Sequence, residues 1–255
     1  MNEPILTASE ITIRFGGLVS VNNVNFTLRK NEIVGIIGPN GAGKTTFFNI
    51  LTGIYQPDTG SICLHGREIK GKKIYEITAM GLARTFQNIR LFPHMTVLET
   101  VMLGMHCKTR SRILDIVLRT PLFRKTEKEA EEKAIELLKL TGLDKYRYEY
   151  GTSLPYGMQR RLEIARAMAS QPEILLLDEP AAGMNEQEKM DLSGFIRSLK
   201  EMGFTIILIE HDMRLVMDIC DRLYVLDHGI LIATGKPEEI SSNPQVIEVY
   251  LGREE

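Results

Sequence analysis

The chain has 255 residues, of which 44% are apolar and 25% charged, with a net charge of −2. This balance describes a folded protein with room for one large domain or two small ones. It lacks the basic excess of a nucleic-acid binder, so no nucleic-acid partner is expected. The cluster Lys108, Arg110 and Arg112 reads equally well as a solvated loop. Cys63, Cys107 and Cys220 are odd in number and far apart, which argues against a disulfide framework or zinc site and favours a reducing cytoplasm. The N-terminal residues carry no secretory pattern. The longest apolar runs, around Ile33–Ile37, Ile174–Leu177 and Ile206–Ile209, fall far short of the ~20 residues of a membrane span. Work at a membrane would need a partner to hold the chain there.

In chain order, Ile5–Phe15 and Val19–Leu28 read as strands broken by Gly16-Gly17. Glu32–Ile37 is a continuous apolar strand, the pattern of burial on both faces. A Gly-rich turn follows, then a helix over Lys44–Thr52, and short strands at Ser61–His65 and Leu82–Phe86. The pattern then turns helical and apolar from Thr96 to about Arg119. Thr126–Leu140 is a charged amphipathic helix with Gly142 as its C-cap. With no convincing strand between Asn88 and Leu154, this stretch reads as an inserted helical subdomain. Helix Met158–Ser170, strand Ile174–Asp178, helix Glu186–Met202, strand Thr205–Glu210 and helix Met213–Cys220 restore the alternation of a mainly parallel sheet. Leu223–Leu226 and Ile230–Ala233 flank a hairpin turn at Asp227-His228-Gly229.

Gly38-Pro39-Asn40-Gly41-Ala42-Gly43-Lys44-Thr45 fits the P-loop pattern G-x-x-x-x-G-K-[ST] between a strand and a helix. Glycines let successive N–H groups curl toward phosphate oxygens, and the following helix aims its positive dipole end at the same anion. Lys44 would add a full charge near the β- and γ-phosphates, and Thr45 a hydroxyl for Mg²⁺. Thr46 would either touch the α-phosphate or cap the helix. The expected fold is therefore α/β: a P-loop NTPase core with a mainly parallel sheet, an antiparallel β subdomain and an inserted helical subdomain. The expected boundaries are residues 1–87 and 157–240 for the core, 88–156 for the insert and 241–255 for a helical appendage.

Ile174–Asp178 ends in two carboxylates. Such a strand beside the P-loop strand would deliver Asp178 to Mg²⁺ and Glu179 to the attacking water as general base. Strand Thr205–Glu210 would bring His211 to the same strand-end face, where it could contact the γ-phosphate; alone, such a histidine reads as structural or solvated. Asp212 reads as the N-cap of the next helix. Gln87, at the edge of the insert, could reach Mg²⁺ or the water, or be a solvated polar residue. Phe15 could stack on adenine or be a core aromatic.

Together these residues resemble the ABC ATPase family. Leu154-Pro155-Tyr156-Gly157-Met158-Gln159 followed by a basic helix is similar to the family signature Leu-Ser-Gly-Gly-Gln, with Pro155, Tyr156 and Met158 departing from it and Gly157 retained. Pro155 cannot supply the usual Ser hydroxyl but suits a first helical turn. Ala181-Ala182-Gly183-Met184-Asn185 resembles the family's D-loop, with Asn185 where Asp is usual. The resemblance implies ATP and Mg²⁺ as cofactors. It also implies a dimer with a second ABC ATPase subunit, homo- or heterodimeric, in which each ATP lies between one P-loop and the partner's signature residues Leu154, Pro155, Tyr156, Gly157 and Met158. Leu-Pro-Tyr-Gly, Pro-Ala-Ala-Gly, Arg14-Phe15-Gly16-Gly17-Leu18 and Val249-Tyr250-Leu251-Gly252 resemble the ATPase subunits of branched-chain amino-acid importers. That implies transmembrane permease subunits, an external solute-binding protein acting indirectly, and a peripheral place on the cytoplasmic face of the plasma membrane. Importers of urea and other small solutes share the pattern. A soluble ABC ATPase of DNA maintenance would carry a coiled-coil or zinc insert, and a P-loop kinase or GTPase would need neither the signature nor His211.

Overall fold

The computed structural model describes residues 3–87, 89–105 and 121–251. Asn88, Cys107, the cluster Lys108, Arg110 and Arg112, and the second half of the expected helical run to Arg119 lie outside these residues. The chain divides into two units, Met1–Arg84 with Glu173–Glu255, and Thr85–Pro172.

The first unit holds two sheets. Strands β1 (Pro4–Phe15), β2 (Leu18–Arg29), β4 (Thr59–Leu64) and β5 (Arg67–Glu68) form an antiparallel sheet in the order β2-β1-β4-β5. The other sheet runs β10-β9-β3-β8-β7-β6, built from β3 (Ile33–Ile37), β6 (Leu82–Arg84), β7 (Ile174–Asp178), β8 (Thr205–Ile209), β9 (Arg222–Asp227) and β10 (Ile230–Gly235). All of its pairings are parallel except that of edge strand β10. Strands β3, β7 and β8 are buried at every position, which is why they read as unbroken apolar runs. Helices α1 (Lys44–Leu51), α2 (Ile74–Ala79), α6 (Glu186–Glu201), α7 (Met213–Ile219), α8 (Pro237–Ser241) and α9 (Pro244–Leu251) complete this unit.

One expectation is corrected: β7 does not lie beside the P-loop strand, because β8 separates them in the order β3-β8-β7. The register keeps the three strands level all the same. Ile36 and Asp178 both face Ile209, so Asp178 stands two ladder steps from β3, roughly 10 Å.

The second unit packs α3 (Val97–Met105), α4 (Pro121–Leu140) and α5 (Tyr156–Ala169) around Val97, Val101, Ala134, Leu138, Leu162 and Ala165. Thr96 and Glu99 form a capping box at the start of α3: Glu99 N–H donates to Thr96 Oγ1 at 3.2 Å, and Thr96 N–H to Glu99 Oε2 at 2.8 Å. Gly142 stops α4 in the left-handed region at φ +73°. A Cβ on Gly104 would stand 2.1 Å from the Arg166 carbonyl and 2.9 Å from Ala169 Cβ, so α3 and α5 cross in backbone contact. This crossing places α5 within the helical unit, whose observed limit falls after Pro172 rather than at 156/157.

Candidate nucleotide-binding site

The cradle is assembled by backbone geometry. Gly38 adopts φ +148°, and a Cβ there would meet the Leu226 carbonyl at 2.0 Å, so only glycine fits the start of the loop. Lys44 folds back over the loop and donates from Nζ to the Gly38 carbonyl at 2.7 Å and the Pro39 carbonyl at 2.8 Å. Burial lowers the Lys44 pKa, and the charge of Glu179 opposes that shift. Helix α1 begins after Gly43, in the left-handed region at φ +93°, and no side chain caps it; its first amides are the orphan donors that make a helix N-terminus an anion site. Asn40, Gly41 and Thr45 are exposed and Ala42 buried. Thr46 is not a cap: its Oγ1 accepts from Ser20 Oγ at 2.9 Å. The hairpin tip also braces the loop, with Gly229 N–H donating to the Ala42 carbonyl at 3.1 Å.

Across the sheet, Asp178 is 2% exposed at the end of β7. Arg84 Nη2 donates to its Oδ2 at 2.6 Å, while Arg84 Nη1 reaches Asn49 Oδ1 at 2.6 Å and the guanidinium lies over the Phe48 ring. Glu179 follows at φ +45°, with its N–H donating to the Ile209 carbonyl at 2.9 Å. His211 follows β8 with its side chain 64% exposed. Phe15 is 46% exposed at the end of β1 and meets the Tyr55 ring edge-on at 5.2 Å, so it is not a core aromatic. Unit one thus gathers the P-loop, Asp178, Glu179 and His211 at one end of its parallel sheet.

Gln87 and the segment 154–158 belong to the second unit. Leu154 is buried, and Pro155 is the N-cap of α5, which starts at Tyr156 and not at Met158. The cause is the fixed φ of Pro155, −53°, together with its carbonyl, which accepts from the Met158 and Gln159 amides at 2.9 and 3.0 Å. Gly157 therefore lies in the first turn, Met158 packs against the helical core, and Tyr156 is exposed beneath the Arg160 guanidinium. Arg160, 2% exposed, donates to the Phe86 carbonyl at 2.8 Å, to the Gln87 carbonyl and to Glu163 Oε2 at 3.1 Å. It fixes the backbone of Gln87, whose side chain is exposed.

Sequence reasoning missed Arg84, Arg160 and Glu210. The only signal for them is an Arg or Glu inside an otherwise apolar strand or a motif helix, which does not say what the charge faces.

A glycine loop closed by a buried lysine, in one parallel sheet with a strand ending in two carboxylates, defines a P-loop nucleoside triphosphatase. Residues 21–182 match the ABC transporter family, and residues 231–255 match the family of branched-chain amino acid ATP-binding cassette transporters. The high-affinity branched-chain amino acid transport ATP-binding protein LivG of Salmonella typhimurium is 49% identical over 253 residues, 99% of each chain. A crystal structure of an ABC transporter cassette in its ADP conformation superposes with TM-score 0.86 at 31% identity, covering 99% of this chain and 100% of that one. A dimeric post-hydrolysis cassette bound to ADP and Pi gives TM-score 0.75 at 25% identity, covering 91% and 98%. The chain belongs to the ABC transporter family, as an ATP-binding ATPase subunit.

Proposed function

We propose that this chain hydrolyses ATP to drive uptake of branched-chain amino acids through membrane permease subunits. The observation that carries the reading is the convergence of Lys44, Asp178, Glu179 and His211 at one sheet end, on strands whose register is level. In this reading the amides around Gly38–Thr46 and the Lys44 charge bind the phosphates, and Phe15 stacks on adenine. Glu179 takes the proton of the attacking water, and His211 contacts the γ-phosphate.

The Thr45 hydroxyl and Asp178 carboxylate are hard oxygen donors. They suit Mg²⁺, which fills most of its places with phosphate oxygens and water and takes few protein ligands. Bound there, the ion would neutralise phosphate charge. The Gln87 amide oxygen is a donor of the same kind, and its assignment to the ion or the water rests on the family resemblance.

Two ATPase subunits, this chain with a copy or with a related partner, would pair so that residues 154–158 of one meet the nucleotide of the other. The dimeric ADP- and Pi-bound relative supports this arrangement. No helix among the described residues is long and apolar enough to cross a membrane, so permease subunits would hold the chain at the cytoplasmic face. The solute assignment rests on the LivG relative and on the match of residues 231–255. Proteoliposomes holding the chain with its permease subunits, partner ATPase and binding protein should take up leucine, isoleucine or valine saturably and only with internal ATP. Uptake of urea with no aliphatic amino acid would overturn the solute and leave the transporter class standing.

A further inference from the structure

We infer that Glu210 is a positioning residue that fixes Glu179 and His211 relative to each other. The inference rests on the ATPase reading above. Glu210 follows the last residue of β8 and is 0% exposed. A carboxylate is costly to bury unless donors surround it, and two backbone amides donate to it here. Ala181 N–H donates to Oε1 at 2.7 Å and His211 N–H donates to Oε2 at 3.2 Å. The first amide lies in the loop that follows Glu179, and the second is that of His211 itself. One side chain therefore ties the two strand-end segments together.

Glu179 needs such a tie. Its φ of +45° lies in the left-handed region, which is strained for a non-glycine residue and persists only where the surroundings impose it. Two hydrogen bonds flank the strained residue. Its own N–H is held by the Ile209 carbonyl at 2.9 Å, and Ala181, two residues on, is held by Glu210. Both anchors belong to the end of β8, the segment that also carries His211. Loss of the Glu210 anchor frees one side of the Glu179 turn. A misplacement of about 1 Å in a reacting group can cost ~10²-fold in rate.

Glu210→Gln tests this. The amide keeps the shape of the carboxylate, but its NH₂ end faces backbone N–H groups, so at least one amide loses its acceptor. Purified full-length Glu210→Gln should hydrolyse ATP ~10-fold or more slowly than wild type. Its dissociation constant for trinitrophenyl-ATP should stay within ~2-fold, because among the described residues the hydrogen bonds of Lys44 and those of Glu210 go to different partners. Glu210→Asp keeps the charge but is too short to hold both segments, and should show the same split between turnover and affinity. In a Glu179→Gln background, Glu210→Gln should cause clearly less than its loss in wild type, since part of its effect passes through Glu179. Unchanged turnover, a parallel loss of affinity and turnover in both variants, or losses that multiply with Glu179→Gln would each overturn the inference. Wild type assayed alongside separates the two layers. Absence of hydrolysis there, both alone and with the partner ATPase, overturns the ATPase reading, whereas active wild type with unaffected variants overturns only the role of Glu210.

Discussion

Asp212 does two jobs with one carboxylate. It caps α7, accepting from the Arg214 and Leu215 amides at 3.0 and 3.3 Å, and it pairs with Lys189 Nζ at 2.7 Å. The Lys189 hydrogen bond, helped by the capping amides, holds its pKa below the usual carboxylate value. A depressed carboxylate contributes stability that is fully present above its unfolded pKa of ~3.9 and is lost as pH falls through the folded value. Asp212→Ala should therefore cost about 1 kcal/mol at pH 7, and the gap from wild type should close below pH ~4. Chemical denaturation at neutral and acidic pH measures both; an equal gap at the two pH values would contradict the capping and pairing account. Asp212 was legible as a cap because Ser, Thr, Asp and Asn before a periodic apolar run carry a local signal. Arg84 was not, because its partners Asn49 and Asp178 lie 35 and 94 residues away and only the fold brings them together.

At the scale of elements, what the sequence declares is what local physics dictates. The buried parallel strands appear as apolar runs, the P-loop as glycines before a lysine, and the hairpin at His228-Gly229 as a turn with positive φ at both residues. Helix α2 and the two-residue strand β5 were not foreseen: Ile74–Ala79 buries only Ile77, so no apolar period marks it. The order β3-β8-β7 was equally invisible, since neighbours along the chain need not be neighbours in a parallel sheet. The α3–α5 crossing rests on Gly104. Gly104→Ala would force apart two backbones that leave no room for a methyl group, and should destabilise the helical unit by about 2 kcal/mol. Hydrogen exchange should show loss of protection in α3 and α5 while β3 and β7 stay protected; unchanged exchange in α3 and α5 would contradict the close packing.

For the whole molecule, the proposed cycle has ATP close two subunits and Glu179 commit them to hydrolysis. Glu179 stands at a strand end within the field of Lys44, and in the proposed reading it would act on a water beside the γ-phosphate. Glu179→Gln keeps the side-chain shape, cannot take the proton, and removes a negative charge that opposes the nucleotide. General-base assistance contributes ~10²–10⁴-fold in rate, so turnover should fall by that order while ATP binding persists. The bound form should then accumulate as a dimer. The measurement is light scattering coupled to gel filtration of Glu179→Gln, with and without ATP, alone and with the partner ATPase. An ATP-dependent dimer together with lost hydrolysis is the expected result. Near-wild-type hydrolysis, or lost hydrolysis with no ATP-dependent dimer in either setting, would contradict it.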